Sequence, residues 1–131
     1  MSGELILVVE DNERNAKLLL DVLGHRGYEV LLAETGEDGV AMALEHQPAL
    51  ILMDIQLPGI DGIEAFERLQ AEPTTRTIPV VAVTASAMQE EVTRINAVGF
   101  AAYEPKPIRV MEFLKTVSTL LDGHDTDRAQ G

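Results

Sequence analysis

Five polar side chains stand where short apolar runs stop, and together their types suggest one chemistry. Glu10 and Asp11 follow Leu5-Ile6-Leu7-Val8-Val9, Asp54 follows Leu50-Ile51-Leu52-Met53, Thr84 follows Val80-Val81-Ala82-Val83, and Lys106 lies just past a run ending at Tyr103. If those runs are strands of one sheet, carboxylates, a hydroxyl and an ammonium share a cleft. Carboxylates gathered this way repel one another unless a cation neutralises them. An all-oxygen set without His or Cys suits Mg²⁺ rather than zinc. The Lys106 ammonium can pair with a phosphoryl oxygen, and the Thr84 hydroxyl can donate to another. A carboxylate nucleophile, a cation and fixed donors are the parts an in-line phosphoryl transfer uses. Singly, each residue has a plainer role: an acidic pair after a strand caps a helix, Thr84 could cap a later helix, and Lys106 is a solvated lysine. The coincidence at successive strand ends is what points to chemistry.

These groups need a scaffold, and the hydrophobic pattern supplies one. The runs at Leu5–Val9, Leu50–Met53 and Val80–Val83 are continuous rather than alternating, as in strands covered on both faces. Tyr28–Ala33 and Phe100–Tyr103 read as two further strands. Between them lie helical patterns. Asn12 caps the first, with Ala16, Leu19, Leu20, Val22 and Leu23 inward and Gly27 beyond its end. Thr35-Gly36 opens the second, with Val40, Ala43 and Leu44 inward and Pro48 closing it. Leu57-Pro58-Gly59 is a turn of type II composition, and Asp61 caps a third helix carrying Ala65, Phe66 and Leu69. Met88, Val92 and Ile95 mark a weaker fourth helix ended by Gly99. Val110, Phe113, Leu114, Val117 and Leu121 make the clearest amphipathic stripe. Five β-α units without a repeat or linker predict a doubly wound α/β fold with a parallel sheet of flavodoxin-like order 2-1-3-4-5. Ligands then bind between strands 1 and 3, where the order reverses and where Asp11 and Asp54 should meet. One domain over residues 1–122 is expected, with 123–131 as a flexible C-terminal tail.

Composition narrows the function classes. Ten basic against 22 acidic residues give a net charge of −12, which opposes contact with nucleic acid through the chain itself. The absence of cysteine removes disulfides, thiolate metal sites and cysteine nucleophiles together. No basic-then-apolar leader opens the chain, and no run approaches the ~18 apolar residues of a membrane span, so a cytoplasmic protein is expected.

The segments Val9-Glu10-Asp11-Asn12, Met53-Asp54-Ile55-Gln56-Leu57-Pro58, Val83-Thr84-Ala85 and Lys106-Pro107-Ile108 resemble the receiver domain of two-component response regulators, over roughly residues 4–122. Their wording is similar to DivK-like single-domain receivers. The resemblance implies that Asp54 is the phosphoacceptor. It also implies that Asp11 ligates Mg²⁺ directly, Glu10 through water and Gln56 through its backbone carbonyl. Thr84 and Lys106 match the phosphoryl-sensing hydroxyl and the cation, and Tyr103 matches an aromatic switch residue. The Lys106-Pro107 peptide is expected to be cis. The side chains of Gln56 and Ser86 are candidates for setting how easily water attacks the phosphoryl group. Two departures accompany the match: Pro105 stands before Lys106, and Ala101-Ala102 replaces residues that are often acidic or polar.

The resemblance further implies a phosphohistidine donor on a histidine kinase or histidine phosphotransfer protein. Output would pass to a protein target through the face of the fourth helix, fifth strand and fifth helix, and not to nucleic acid or membrane. The Met1 start and polar finish fit a whole protein without an attached output domain. Such a chain is a signalling phosphoacceptor, with Mg²⁺-dependent self-phosphorylation and autodephosphorylation, rather than an enzyme. A haloacid-dehalogenase-like phosphatase needs a second acid two residues after the nucleophile, where Gln56 stands. A flavodoxin-type binder would place a flavin phosphate against Glu10-Asp11. The alternatives that remain are a phosphorylation-independent adaptor and a receiver fragment of a hybrid histidine kinase.

Overall fold

A computed structural model describes residues 3–85 and 88–130, with side chains to residue 122, so Ser86 lies outside the described residues. The chain alternates β1 (Leu5–Val9), α1 (Glu13–His25), β2 (Glu29–Ala33), α2 (Gly36–His46), β3 (Leu50–Asp54), α3 (Gly62–Ala71), β4 (Val80–Thr84), α4 (Gln89–Val98), β5 (Ala102–Pro105) and α5 (Val110–Gln130). All strand pairs are parallel and the order is β2-β1-β3-β4-β5.

The continuous apolar strands follow from this arrangement. Successive residues of a strand face opposite sides of the sheet, and here both sides are covered. Leu7, Val9, Ile51 and Met53 join Ala43, Phe66, Leu69 and Ile95 in one cluster. Ile6, Val8, Leu50 and Leu52 join Leu19, Leu23, Phe113 and Val117 in the other. Three helices start at side-chain caps on adjacent-turn amides: Asn12 accepts from Asn15 N, Thr35 from Asp38 N and Asp61 from Glu64 N. Gly59 sits at φ 75°, as the third residue of a type II turn requires.

Several expected faces and ends differ, each for a packing reason. Leu44 is 37% exposed rather than inward. The face that α2 buries is Gly36, Gly39 and Ala43, and a Cβ at Gly39 would stand 2.8 Å from Val9 Cγ2. Helix and strand therefore approach too closely for a leucine stripe. Val110 is also 37% exposed, because α5 turns its first residue away from the sheet. Met88 precedes α4 and is exposed, which leaves Ile95 as the buried anchor of that helix. Because α4 begins at Gln89 with Met88 in the cap position, Thr84 is not its cap.

The last strand lies two residues later than expected. Phe100 stacks on Phe66 with ring centroids 4.2 Å apart, and Gly99 at φ 106° turns the chain to allow it. Ala102–Pro105 then pair with Val81–Thr84. Pro105 is tolerated because β5 is an edge strand, where a missing N–H breaks no second ladder. The α5 backbone continues through Gly123, where the apolar stripe stops; an interior glycine weakens a helix by about 1 kcal/mol relative to alanine without having to end it.

Candidate functional site

Sheet register brings the strand-end residues together. Val9 lies opposite Met53, so Glu10 and Asp54 leave adjacent strands at the same level. Asp54 is opposite Val83, the residue before Thr84. Lys106 follows β5 and donates its backbone N–H to the Thr84 carbonyl at 2.8 Å. The Lys106-Pro107 peptide is cis. Glu10, in turn, donates its N–H to Ala33 O at 2.9 Å, and its carboxylate accepts from Asn12 N at 3.1 Å where α1 begins.

The resulting cluster is largely withdrawn from water. Glu10 is 1% and Asp54 3% exposed, whereas Asp11 is on the surface. Lys106 reaches between the buried pair: Nζ lies 3.0 Å from Asp54 Oδ2 and 3.1 Å from Glu10 Oε1. Asp54 Oδ1 accepts the Gln56 backbone N–H at 3.0 Å, while the Gln56 side chain is exposed. Thr84 is buried at the end of β4. Tyr103 is not drawn into the cluster: it lies opposite Ala82, a strand residue away from the cleft, and is 36% exposed.

Electrostatics follow from this burial. Desolvation, then the neighbouring Asp54 carboxyl, push the Glu10 carboxyl above its ordinary range. Burial acts to lower the Lys106 ammonium, but its hydrogen bonds and attraction to Asp54 and Glu10 outweigh that and hold it higher than usual. Lysine is therefore a firm cation here. It does not balance the site, because fully ionised Glu10, Asp11 and Asp54 carry three negative charges against its one.

A divalent cation suits what remains. Oxygens of Glu10, Asp11 and Asp54 lie within 4.8 Å of one another. Glu10 Oε1 is buried without a hydrogen-bond donor, since its 3.1 Å approach to Lys106 is charge contact without hydrogen-bond alignment. An all-carboxylate donor set fits a hard cation such as Mg²⁺. Asp11 stands on the surface and keeps that side of the carboxylate group open to water, as an ion that retains several waters needs.

One residue that holds the site went unread in the sequence. Gly62 is buried at the start of α3 and donates its N–H to Ile55 O at 2.9 Å. A Cβ there would press on the Asp54 carbonyl oxygen and stand 2.8 Å from Ile55 Cα. The clue available was a glycine directly after the capping Asp61, where most residues would serve. Gly62→Ala should push the β3–α3 loop off Asp54 and Gln56. We expect a stability loss of about 1–3 kcal/mol, as for overpacking elsewhere, read from urea unfolding. A wild-type midpoint would show that the loop yields freely.

Comparison with known proteins agrees with this geometry. Residues 6–118 match the response regulator receiver domain family. The polar-differentiation response regulator DivK of Brucella ovis is 44% identical over 116 residues, covering 88% of this chain and 94% of that protein. Among solved structures, the receiver domain of a sensor histidine kinase from Pseudomonas aeruginosa PAO1, with a magnesium ion coordinated in its active site cleft, superposes with a TM-score of 0.86. It is 31% identical, and the match covers 92% of this chain and 99% of that one. The chemotaxis protein CheY4 of Vibrio cholerae, at 24% identity, shares the fold with a TM-score of 0.85 over 92% of this chain and 100% of its own.

Proposed function

This chain belongs to the response regulator receiver domain family and is DivK-like along most of its length, and on that premise we propose that it is a signalling switch phosphorylated on Asp54. The observation that carries the reading is the setting of that carboxylate. It is buried at a strand end, bonded at Oδ1 by the Gln56 N–H and at Oδ2 by Lys106, with Glu10 and Asp11 beside it. The donor is a phosphohistidine on a histidine kinase or histidine phosphotransfer protein. An Asp54 carboxylate oxygen forms the new O–P bond as the donor N–P bond breaks. The imidazole nitrogen leaves with the electron pair and takes up a proton. Glu10, Asp11, Asp54 and the Gln56 carbonyl would hold Mg²⁺, which neutralises charge on the phosphoryl oxygens. Lys106 and the Thr84 hydroxyl bind the phosphoryl oxygens directly. Water later attacks phosphorus as the Asp54 O–P bond breaks, releasing inorganic phosphate and a proton and returning the Asp54 carboxylate, so the protein is a self-modifying acceptor rather than a turnover enzyme.

Output is a population shift on the face of α4, β5 and α5, where Thr84 moves toward the phosphoryl group and Tyr103 turns inward. The slight anchoring of α4, with Ile95 its buried residue and no side-chain cap, supports a movable element. A downstream protein reads that face, in the cytoplasmic setting expected from the sequence. Among the described residues no helix is long and apolar enough to cross a membrane.

The test is intact mass after incubation with acetyl phosphate, in Mg²⁺ or in EDTA. One added phosphoryl group, dependent on Mg²⁺, is expected. No adduct under conditions that trap short-lived acyl phosphates would favour a phosphorylation-independent adaptor.

A further inference from the structure

Glu104 is a third buried carboxylate beside Glu10 and Asp54, and the cleft does not use it. It lies on β5 opposite Val83 and is 8% exposed. Its neighbours on that side of the sheet, Val83 and Ala102, pack into the cluster under α1 and α5. A carboxylate buried among aliphatic side chains costs several kcal/mol unless it is hydrogen-bonded, whereas an aliphatic side chain would fill the space without that cost. Its partner is Thr116 on α5, whose Oγ1 donates to Glu104 Oε2 at 2.7 Å.

The same hydroxyl lies 3.1 Å from the Glu112 carbonyl, the ordinary resting place for a helical threonine. A hydroxyl has one proton, and the shorter contact to a charged acceptor takes it. Thr116 is thus pulled from its own helix to bond a neighbouring strand. Strand alternation puts Tyr103 on the opposite side of β5, so this bond grips the strand from the α5 side alone.

Two residues further on is Lys106, whose N–H is bonded to Thr84 O and whose Nζ joins Asp54 to Glu10. Pro105 between them has a fixed φ, which leaves one torsion fewer to absorb a displacement of Glu104 before it reaches Lys106. We infer that the Glu104–Thr116 hydrogen bond is a positioning device: it fixes β5 against α5 and thereby sets Lys106 over Asp54. The role in chemistry rests on Asp54 being the phosphoacceptor.

The experiment compares Thr116→Val, Thr116→Ser and Val40→Ala, the last a half-buried residue of α2 that packs on the opposite face of the sheet and lowers stability away from β5 and α5. Amide exchange of the Lys106 N–H is followed by NMR, and phosphorylation by acetyl phosphate at saturating Mg²⁺ by intact mass. Thr116→Val should speed Lys106 exchange and slow phosphorylation, each by about tenfold, the ratio a charge-assisted hydrogen bond supports. Thr116→Ser should restore both. Unchanged exchange in Thr116→Val would overturn the inference, as would equal effects in Val40→Ala, or faster exchange with unaltered phosphorylation. If the wild-type protein takes no phosphoryl group, the phosphoacceptor reading fails, and the exchange measurement still decides whether the bond positions Lys106.

Discussion

Asp54→Asn is expected to remain folded and to take up no phosphoryl group from acetyl phosphate, in any Mg²⁺ concentration. The amide is nearly the size of the carboxylate, and its oxygen can still accept the Gln56 N–H that now lies 3.0 Å from Oδ1. What disappears is the anionic oxygen. A neutral amide is no nucleophile toward phosphorus, and neither neighbouring acid is placed to substitute: Glu10 is held by Asn12 N–H and Lys106, and Asp11 lies at the surface. Circular dichroism would verify the fold, and intact mass would read the adduct. An adduct formed on the Asp54→Asn variant at the wild-type rate would move the acceptor to another side chain. Partial uptake would point to slow transfer to Glu10 or Asp11.

The second large effect should come from Lys106→Ala. Lys106 is the cation between Asp54 and Glu10, and its side chain is 17% exposed. Its loss leaves two carboxylates, 1% and 3% exposed, side by side with no positive partner among the described residues. Removing one member of a buried ion pair typically costs about 3–5 kcal/mol, much of it the penalty of the charge left behind. We therefore expect unfolding in urea at neutral pH and in EDTA to shift by about 3 kcal/mol, at the lower end because the cleft is open on one side. Mg²⁺ should stabilise this variant more than it stabilises the wild type, since the competing ammonium is gone; an ion at 100 times its Kd contributes about 2.7 kcal/mol. A loss unaffected by Mg²⁺ would mean that the carboxylates do not gather a cation in common. No loss at all would mean that Lys106 is a surface lysine, as lysines in general are.

The sequence is informative about this protein wherever the cause is local. Strands show as short apolar runs, and helices are bounded by Asn12 and Asp61 at their starts and by Gly99 at an end, because caps and left-handed turns depend on near neighbours. The alternation of strands with helices then leaves few topologies, and the observed order β2-β1-β3-β4-β5 is the one expected. Residue type alone also identified Glu10, Asp11, Asp54, Thr84 and Lys106 as strand-end groups fit for one chemistry.

What the tertiary structure decided is how far apart parts of the chain meet. Lys106 Nζ bridges Glu10 and Asp54 across 96 and 52 residues of sequence, and no local pattern carries that distance. The shift of β5 depends on Phe100 finding Phe66, and the outward Leu44 on how closely α2 lies against Val9. Gly62 is needed only because the Asp54 backbone passes where a Cβ would be. Glu104 reads as one more surface acid until α5 places the Thr116 hydroxyl on it. Chain stereochemistry and hydrophobic spacing act over a few residues and so are written in the sequence directly. Register, close approach and buried charge pairing are properties of packed surfaces, and they exist only once the sheet and helices have come together.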